Sequence, residues 1–170
     1  YTPPYADVNK NITTTQTFSG GLDLDGIYPE DNVLTWHDVQ TLKRWVYDLQ
    51  TGTLLWESEP QSNWAYYSMG SIVVDHKLLC YGSYTGQFIA YDIRTGEKLW
   101  SYNATNIGNE SPYGYYPMSP GAFAANGVVY TYGSEHHLIQ PLQRGPMLRC
   151  LNITNGELLF AIDCHGSGIS

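Results

Sequence analysis

Few residues of this chain stand at spacings that catalysis or metal binding requires. Asp23-Leu24-Asp25-Gly26 has the opening of a calcium loop, in which alternate carboxylates and a turn glycine surround a hard cation. The twelfth position counted from Asp23 is Leu34 rather than the closing glutamate, so the segment reads as a turn with solvated carboxylates. Glu135-His136-His137 offers two imidazoles, but adjacent side chains on a strand point to opposite faces. Neither stretch predicts a metal site. Ser167 lacks the G-x-S-x-G setting of a hydrolase elbow, and His37, His76 and His165 stand alone. Cys80, Cys150 and Cys164 contain no C-x-x-C pair, which excludes zinc-ribbon and thioredoxin-type sites. Their odd number allows one disulfide with a thiol left over, or a bridge to another chain. No catalytic residue is expected from these patterns.

Aromatic side chains with polar tips are the better candidates for contact with a ligand. Trp64, Tyr66 and Tyr67 form one group, and Tyr113, Tyr115 and Tyr116 form a second at the corresponding place after Trp100. Such groups stack on sugar rings or anchor protein contacts, and they also pack the loops between structural repeats. Four Asn-x-Ser/Thr sequons begin at Asn11, Asn103, Asn109 and Asn152. They are candidate glycosylation sites and point to an extracellular or cell-surface location.

The elements that carry these residues are repeated. Residues 45–56 read WVYDLQTGTLLW, residues 89–100 read IAYDIRTGEKLW, and residues 149–160 read RCLNITNGELLF. Gly52, Gly96 and Gly156 are 44 and 60 residues apart, and the shorter interval fits a four-stranded propeller blade. Each copy predicts a β-hairpin, with β-favouring residues on either side of a polar turn that opens on Asp or Asn and closes on Gly. A second hairpin precedes the later copies: Ser71–Val74 with Leu78–Tyr81, and Ala122–Ala125 with Val128–Tyr132. Asp75-His76-Lys77 and Asn126-Gly127 form their turns, the second being the stronger signal. Two hairpins per period make one blade. The predicted organisation is an N-terminal extension or outer strand (1–17), a partial blade (18–60), and a second blade (61–104). A third blade with two loop inserts (105–165) and the start of a next blade or a tail (166–170) follow.

The hairpins resemble the tryptophan-docking motif A-x-D-x-x-T-G-x-x-x-W of pyrroloquinoline-quinone-type β-propellers. Ala90, Asp92, Thr95, Gly96 and Trp100 match it fully; Asp48, Thr51, Gly52 and Trp56 match it with Val46 in place of alanine. The third copy keeps Gly156, with Cys150, Asn152 and Phe160 as substitutions. The resemblance implies that each Trp stacks on a Gly peptide of the neighbouring repeat and locks blade to blade. The loop flavour looks most like secreted archaeal members of that superfamily. Dehydrogenases of the family bind quinone on the propeller axis beside a metal held by Glu, Asn and Asp, often under a vicinal Cys-Cys disulfide. No Cys-Cys pair occurs here.

Composition agrees with many short strands. The 170 residues hold fifteen Tyr, five Trp, four Phe and seventeen Gly, with charged residues at only 14% and a net charge of −8. An acidic chain without a basic stripe is a poor match for nucleic acid, and no apolar run is long enough to span a membrane. The expected fold is all-β, a partial propeller of about three to four four-stranded antiparallel blades. The chain is too short for a closed ring, so it is expected to be part of a larger polypeptide or to be completed by other chains. The function these features support is a non-catalytic extracellular scaffold or protein-interaction module, with no cofactor. One alternative is a fragment of a quinone-dependent alcohol or sugar dehydrogenase, using PQQ and calcium. Another is a carbohydrate-binding platform.

Overall fold

A computed structural model describes residues 22–61, 70–81, 86–104, 122–133 and 147–163. Every regular element among them is a β-strand, and these form three four-stranded antiparallel meanders. The first contains β1 (Leu22–Tyr28), β2 (Val33–Asp38), β3 (Lys43–Asp48) and β4 (Leu54–Glu57). The second contains β5 (Gly70–Val74), β6 (Lys77–Tyr81), β7 (Gln87–Asp92) and β8 (Lys98–Asn103). The third contains β9 (Ala122–Ala125), β10 (Val128–Gly133), β11 (Met147–Asn152) and β12 (Leu158–Asp163). In each sheet the strands follow one another in chain order, as in propeller blades. The chain is an all-β protein with the architecture of a partial propeller.

The first sheet, expected to be partial, carries four strands like the others. Its missing strand is the segment read as a solvated acidic turn. Residues 22–28, LDLDGIY, form β1, and the register shifts between Leu24 and Gly26 so that Asp25 is the bulged residue. A bulge re-aims one side chain without ending the strand, which the sequence pattern of alternation does not reveal.

The repeated hairpins owe their shape to the turn. In the first, the Asp48 carboxylate accepts from Gln50 N, Thr51 N and Thr51 Oγ1 at 2.9–3.1 Å. In the second, Asp92 accepts from Arg94 N, Thr95 N and Thr95 Oγ1 at 2.8–3.0 Å. Asn152 does the same for Thr154 N in the third, at 2.8 Å. Gly52, Gly96 and Gly156 close these turns at φ 70°, 73° and 73°, a region that side chains disfavour. The preceding hairpins turn on Asp75-His76 and Asn126-Gly127, all four residues having positive φ. Both are therefore tight turns of the kind that matches strand twist.

Hydrophobic burial lies between sheets. Val33 and Val46 of the first sheet pack with Leu78, Cys80 and Ile93 of the second. Leu79, Tyr81, Phe88, Ala90 and Trp100 of the second pack with Val129, Leu151 and Ile153 of the third. Central strands contribute to both faces, which explains the near-continuous burial of β3 and β6. On the opposite face of the first sheet, Leu34, Trp45 and Tyr47 form a smaller cluster.

Candidate functional site: the seams between blades

Trp56 and Trp100 stand at equivalent positions of β4 and β8, and each reaches the next sheet. Trp56 Nε1 donates to the Ile93 carbonyl at 2.9 Å, and Trp100 Nε1 donates to the Ile153 carbonyl at 3.0 Å. A Cβ on Gly96 would lie 2.6 Å from Trp56 Cδ2, and one on Gly156 would lie 2.7 Å from Trp100 Cδ2. The indole rings thus lie where only a glycine leaves room. Trp56 stacks on Tyr91 with centroids 5.8 Å apart, and Trp100 on Phe88 at 6.1 Å. Ala90 lies opposite Trp100 in the second sheet and Val46 opposite Trp56 in the first, both fully buried.

Phe160 occupies the same position in β12 and is 42% exposed. A row crosses the third sheet from Phe123 through Tyr130 and Cys150 to Phe160 in register. The equivalent row of the second sheet, Ile72–Leu79–Ala90–Trp100, is covered by the third. On the third sheet Phe123 is 59% exposed and Ile162 is half exposed. Here an apolar blade face reaches the surface.

Sequence reasoning missed a buried charge cluster in the first seam. Arg44, 1% exposed, donates through Nη1 to Asp25 Oδ2. Its side chain also donates to Gln61 Oε1 at 3.2 Å, and to Ser71 Oγ and the Gly70 carbonyl of the second sheet, both at 3.3 Å. His37 Nδ1 lies 2.6 Å from Asp25 Oδ1. Burial alone would raise the Asp25 pKa, but the His37 hydrogen bond and the Arg44 charge outweigh it and hold the carboxyl below the usual range. Both Asp25 oxygens face nitrogen donors, one of them permanently cationic, so this carboxylate does not fit calcium. An arginine beside the apolar run Trp45-Val46-Tyr47 of a central strand was the available signal; its partner was hidden by the bulge.

A second polar cluster closes the outer edge of the same seam. Arg94 donates through Nη1 to the Asp31 carbonyl at 2.8 Å and through Nη2 to Asp48 Oδ2 at 3.1 Å. Asn32 Nδ2 donates to the same Asp48 oxygen at 2.9 Å. His76 Nδ1 lies 2.5 Å from Asp31 Oδ1, and that hydrogen bond raises the His76 pKa. For Asp48, burial acts upward, but the Thr51 amide and Arg94 hold the pKa below the ordinary value. Asp92 is likewise held low against burial by the Thr95 amide and hydroxyl.

Asn103 is exposed at the end of β8, with Oδ1 accepting from Gln87 Nε2 at 3.2 Å. Asn152 is half-buried with its carbonyl oxygen engaged in the turn. Cys80 and Cys150 are free thiols, and burial pushes the Cys80 pKa up to about 11. Asn11, Asn109, Trp64, Tyr66, Tyr67, Tyr113, Tyr115, Tyr116, Glu135, His136, His137, Cys164, His165 and Ser167 lie outside the described residues. Among the described residues no group of three His, Cys, Asp or Glu side chains converges to hold a metal, and no helix is long and apolar enough to cross a membrane.

The fold is shared with known structures at low identity. The computationally designed protein Ika4 matches with a TM-score of 0.59 and 16% identity, over 92% of this chain and 81% of that one. Quinohemoprotein alcohol dehydrogenase ADHIIG from Pseudomonas putida HK5 matches with a TM-score of 0.56 and 14% identity, over 78% of this chain and 25% of that one. A europium-containing methanol dehydrogenase matches with a TM-score of 0.57 and 16% identity, over 79% and 23%. The chain therefore spans about a quarter of these dehydrogenases. No curated protein matches significantly. A family model described as outer membrane protein assembly factor BamB matches residues 43–160, and with well over half of its length so covered the chain belongs to this PQQ-like propeller family.

Proposed function

We propose that this chain is a non-catalytic propeller module that acts by protein contact, within a larger extracellular or cell-surface protein or assembly. The observation that carries the reading is the exposed third blade. Phe160 stands where Trp56 and Trp100 engage the following sheet, and it lies with Phe123 and Ile162 on an apolar surface. Burying such a face is worth about 25 cal/mol per Å², so a further blade or another chain gains by covering it. In this reading Asp48, Gly52, Trp56, Ala90, Asp92, Gly96, Trp100 and Gly156 lock successive blades. The family description, an outer membrane protein assembly factor, supports a docking role over a catalytic one.

The test is dye-linked oxidation of alcohols and sugars by the intact protein with added pyrroloquinoline quinone and calcium. No turnover is expected; turnover would replace the docking reading with the dehydrogenase one. Trp64, Tyr66, Tyr113, Tyr115 and Tyr116 are proposed as additional contact residues. On a glycan array, binding by the intact protein that is lost in Trp64→Ala and Tyr115→Ala would instead favour a carbohydrate platform.

A further inference from the structure

The two seams are built from equivalent positions but are filled by different side chains. Register and turn position make Asp31, Asn32, Asp48 and Arg94 of the first seam the counterparts of Asp75, His76, Asp92 and Thr154 in the second. The backbone bonds agree: Leu49 N donates to the Asn32 carbonyl, Ile93 N to that of His76, and Ile153 N to that of Gly127, at 3.0–3.1 Å. His76 of the first seam therefore corresponds to Gly127 of the second, and both have positive φ, 57° and 77°.

In the first seam, the Arg94 guanidinium and the His76 imidazole lie against Asp31 and Asp48. In the second, Thr154 and Gly127 replace them. The result is a notch of about 270 Å³ lined by Val74, Asp75, Ala125, Asn126, Gly127, Ile153 and Thr154. A Cβ built on Gly127 meets nothing within 4 Å. The volume exceeds several times the roughly 30 Å³ share of one water molecule.

The acceptors remain. The Asp75 carboxylate is 59% exposed, and Lys77 Nζ approaches its Oδ2 at 2.7 Å and its carbonyl at 2.9 Å. The Asp92 carboxylate, the counterpart of the one that receives Arg94, uses Oδ1 for its own turn. Asp75 and Asp92 put two carboxylates along this edge of the seam, with the Lys77 ammonium and the His76 imidazole beside them. A carbonyl keeps a second lone pair after one hydrogen bond. A planar fork that bridges a carbonyl and a carboxylate is a guanidinium property, which a lysine ammonium does not reproduce.

We propose that the notch between the second and third blades is a docking site for an arginine side chain of a partner protein, which enters as Arg94 does in the neighbouring seam. The overall charge of −8 complements such a partner. The site goes beyond the docking role of the third blade. It lies on the side of that sheet facing the second blade, away from Phe160, so the two readings fail separately.

The probe is N-acetyl-arginine amide titrated into the isotope-labelled 170-residue chain, with N-acetyl-citrulline amide as the neutral isostere. Amide shifts at Asp75, Asn126, Gly127 and Thr154 are expected to saturate at least fivefold more tightly with the arginine probe. Asp75→Asn should weaken that binding severalfold. Thr154→Arg should abolish it, because the variant supplies its own guanidinium, and should raise the Tm, which also shows that it folds. Equal response to citrulline, undiminished binding in Thr154→Arg, or no response at the notch in the wild type would each overturn the site.

Discussion

Arg44 and Asp25 put opposite charges in a space with almost no water, where each depends on the other. Removing one partner of a buried pair costs about 3–5 kcal/mol, because the charge left behind is unsolvated. Asp25→Ala is therefore expected to lower the unfolding free energy by about that much in urea titration, whereas removing the exposed Lys43–Glu57 pair, 2.7 Å apart, should change the midpoint far less. The Asp25 pKa is depressed in the folded chain, so its contribution is present above the unfolded carboxylate value and is lost as pH falls through the folded one. Asp25→Asn should flatten the acid limb of the stability curve below about pH 4. His76 titrates with the opposite sign. Its pKa is raised by Asp31, so the contact contributes below the unfolded value near 6.5 and fades as pH rises through the folded value. In Asp31→Asn the dependence of Tm on pH above about 6.5 should shrink. The sequence displays Arg44, Asp25 and His37 but gives no sign that they meet, because three strands and a bulge bring them together.

The hairpin is the element most legible in the sequence. Its requirements are local: an Asx side chain to bind the turn amides, a glycine at positive φ, and alternating residues on either side. What the hairpin supports is not local, since the glycine that closes one turn is also the surface on which the previous blade's Trp lies. Gly156→Ala and Gly127→Ala separate these roles. Both force alanine into a left-handed conformation, at about 1–2 kcal/mol, but only the first drives a methyl into the Trp100 ring. Gly156→Ala should therefore be the more destabilising in thermal melts, and equal losses would remove the packing explanation. Trp100→Ala should cost about 3–5 kcal/mol, as for other buried aromatics. The β1 strand was illegible for the converse reason. Its two Asp residues and Gly26 carry turn signals, and only the neighbouring β2 and Arg44 make a strand the better state.

At the scale of the whole molecule, blades are stabilised by their neighbours, and the third has an exposed outer face. Phe123→Lys with Phe160→Lys is expected to reduce self-association or partner capture in sedimentation, with little change in the urea midpoint because both side chains are exposed. A shift in midpoint without a change in association would place these residues in the fold instead. The sequence by itself determined the unit and its repetition: all-β composition, the turn residues, and periodic hairpins that specify a propeller blade. Those are properties of one strand pair at a time, carried by backbone propensity and side-chain alternation over a dozen residues. Tertiary structure alone decided which faces are buried, that Asp25 is paired and not solvated, and that equivalent seams hold Arg94 in one case and a notch in the other. The physical reason is that burial and charge pairing depend on residues tens of positions apart, whose meeting is set by the packing of whole sheets.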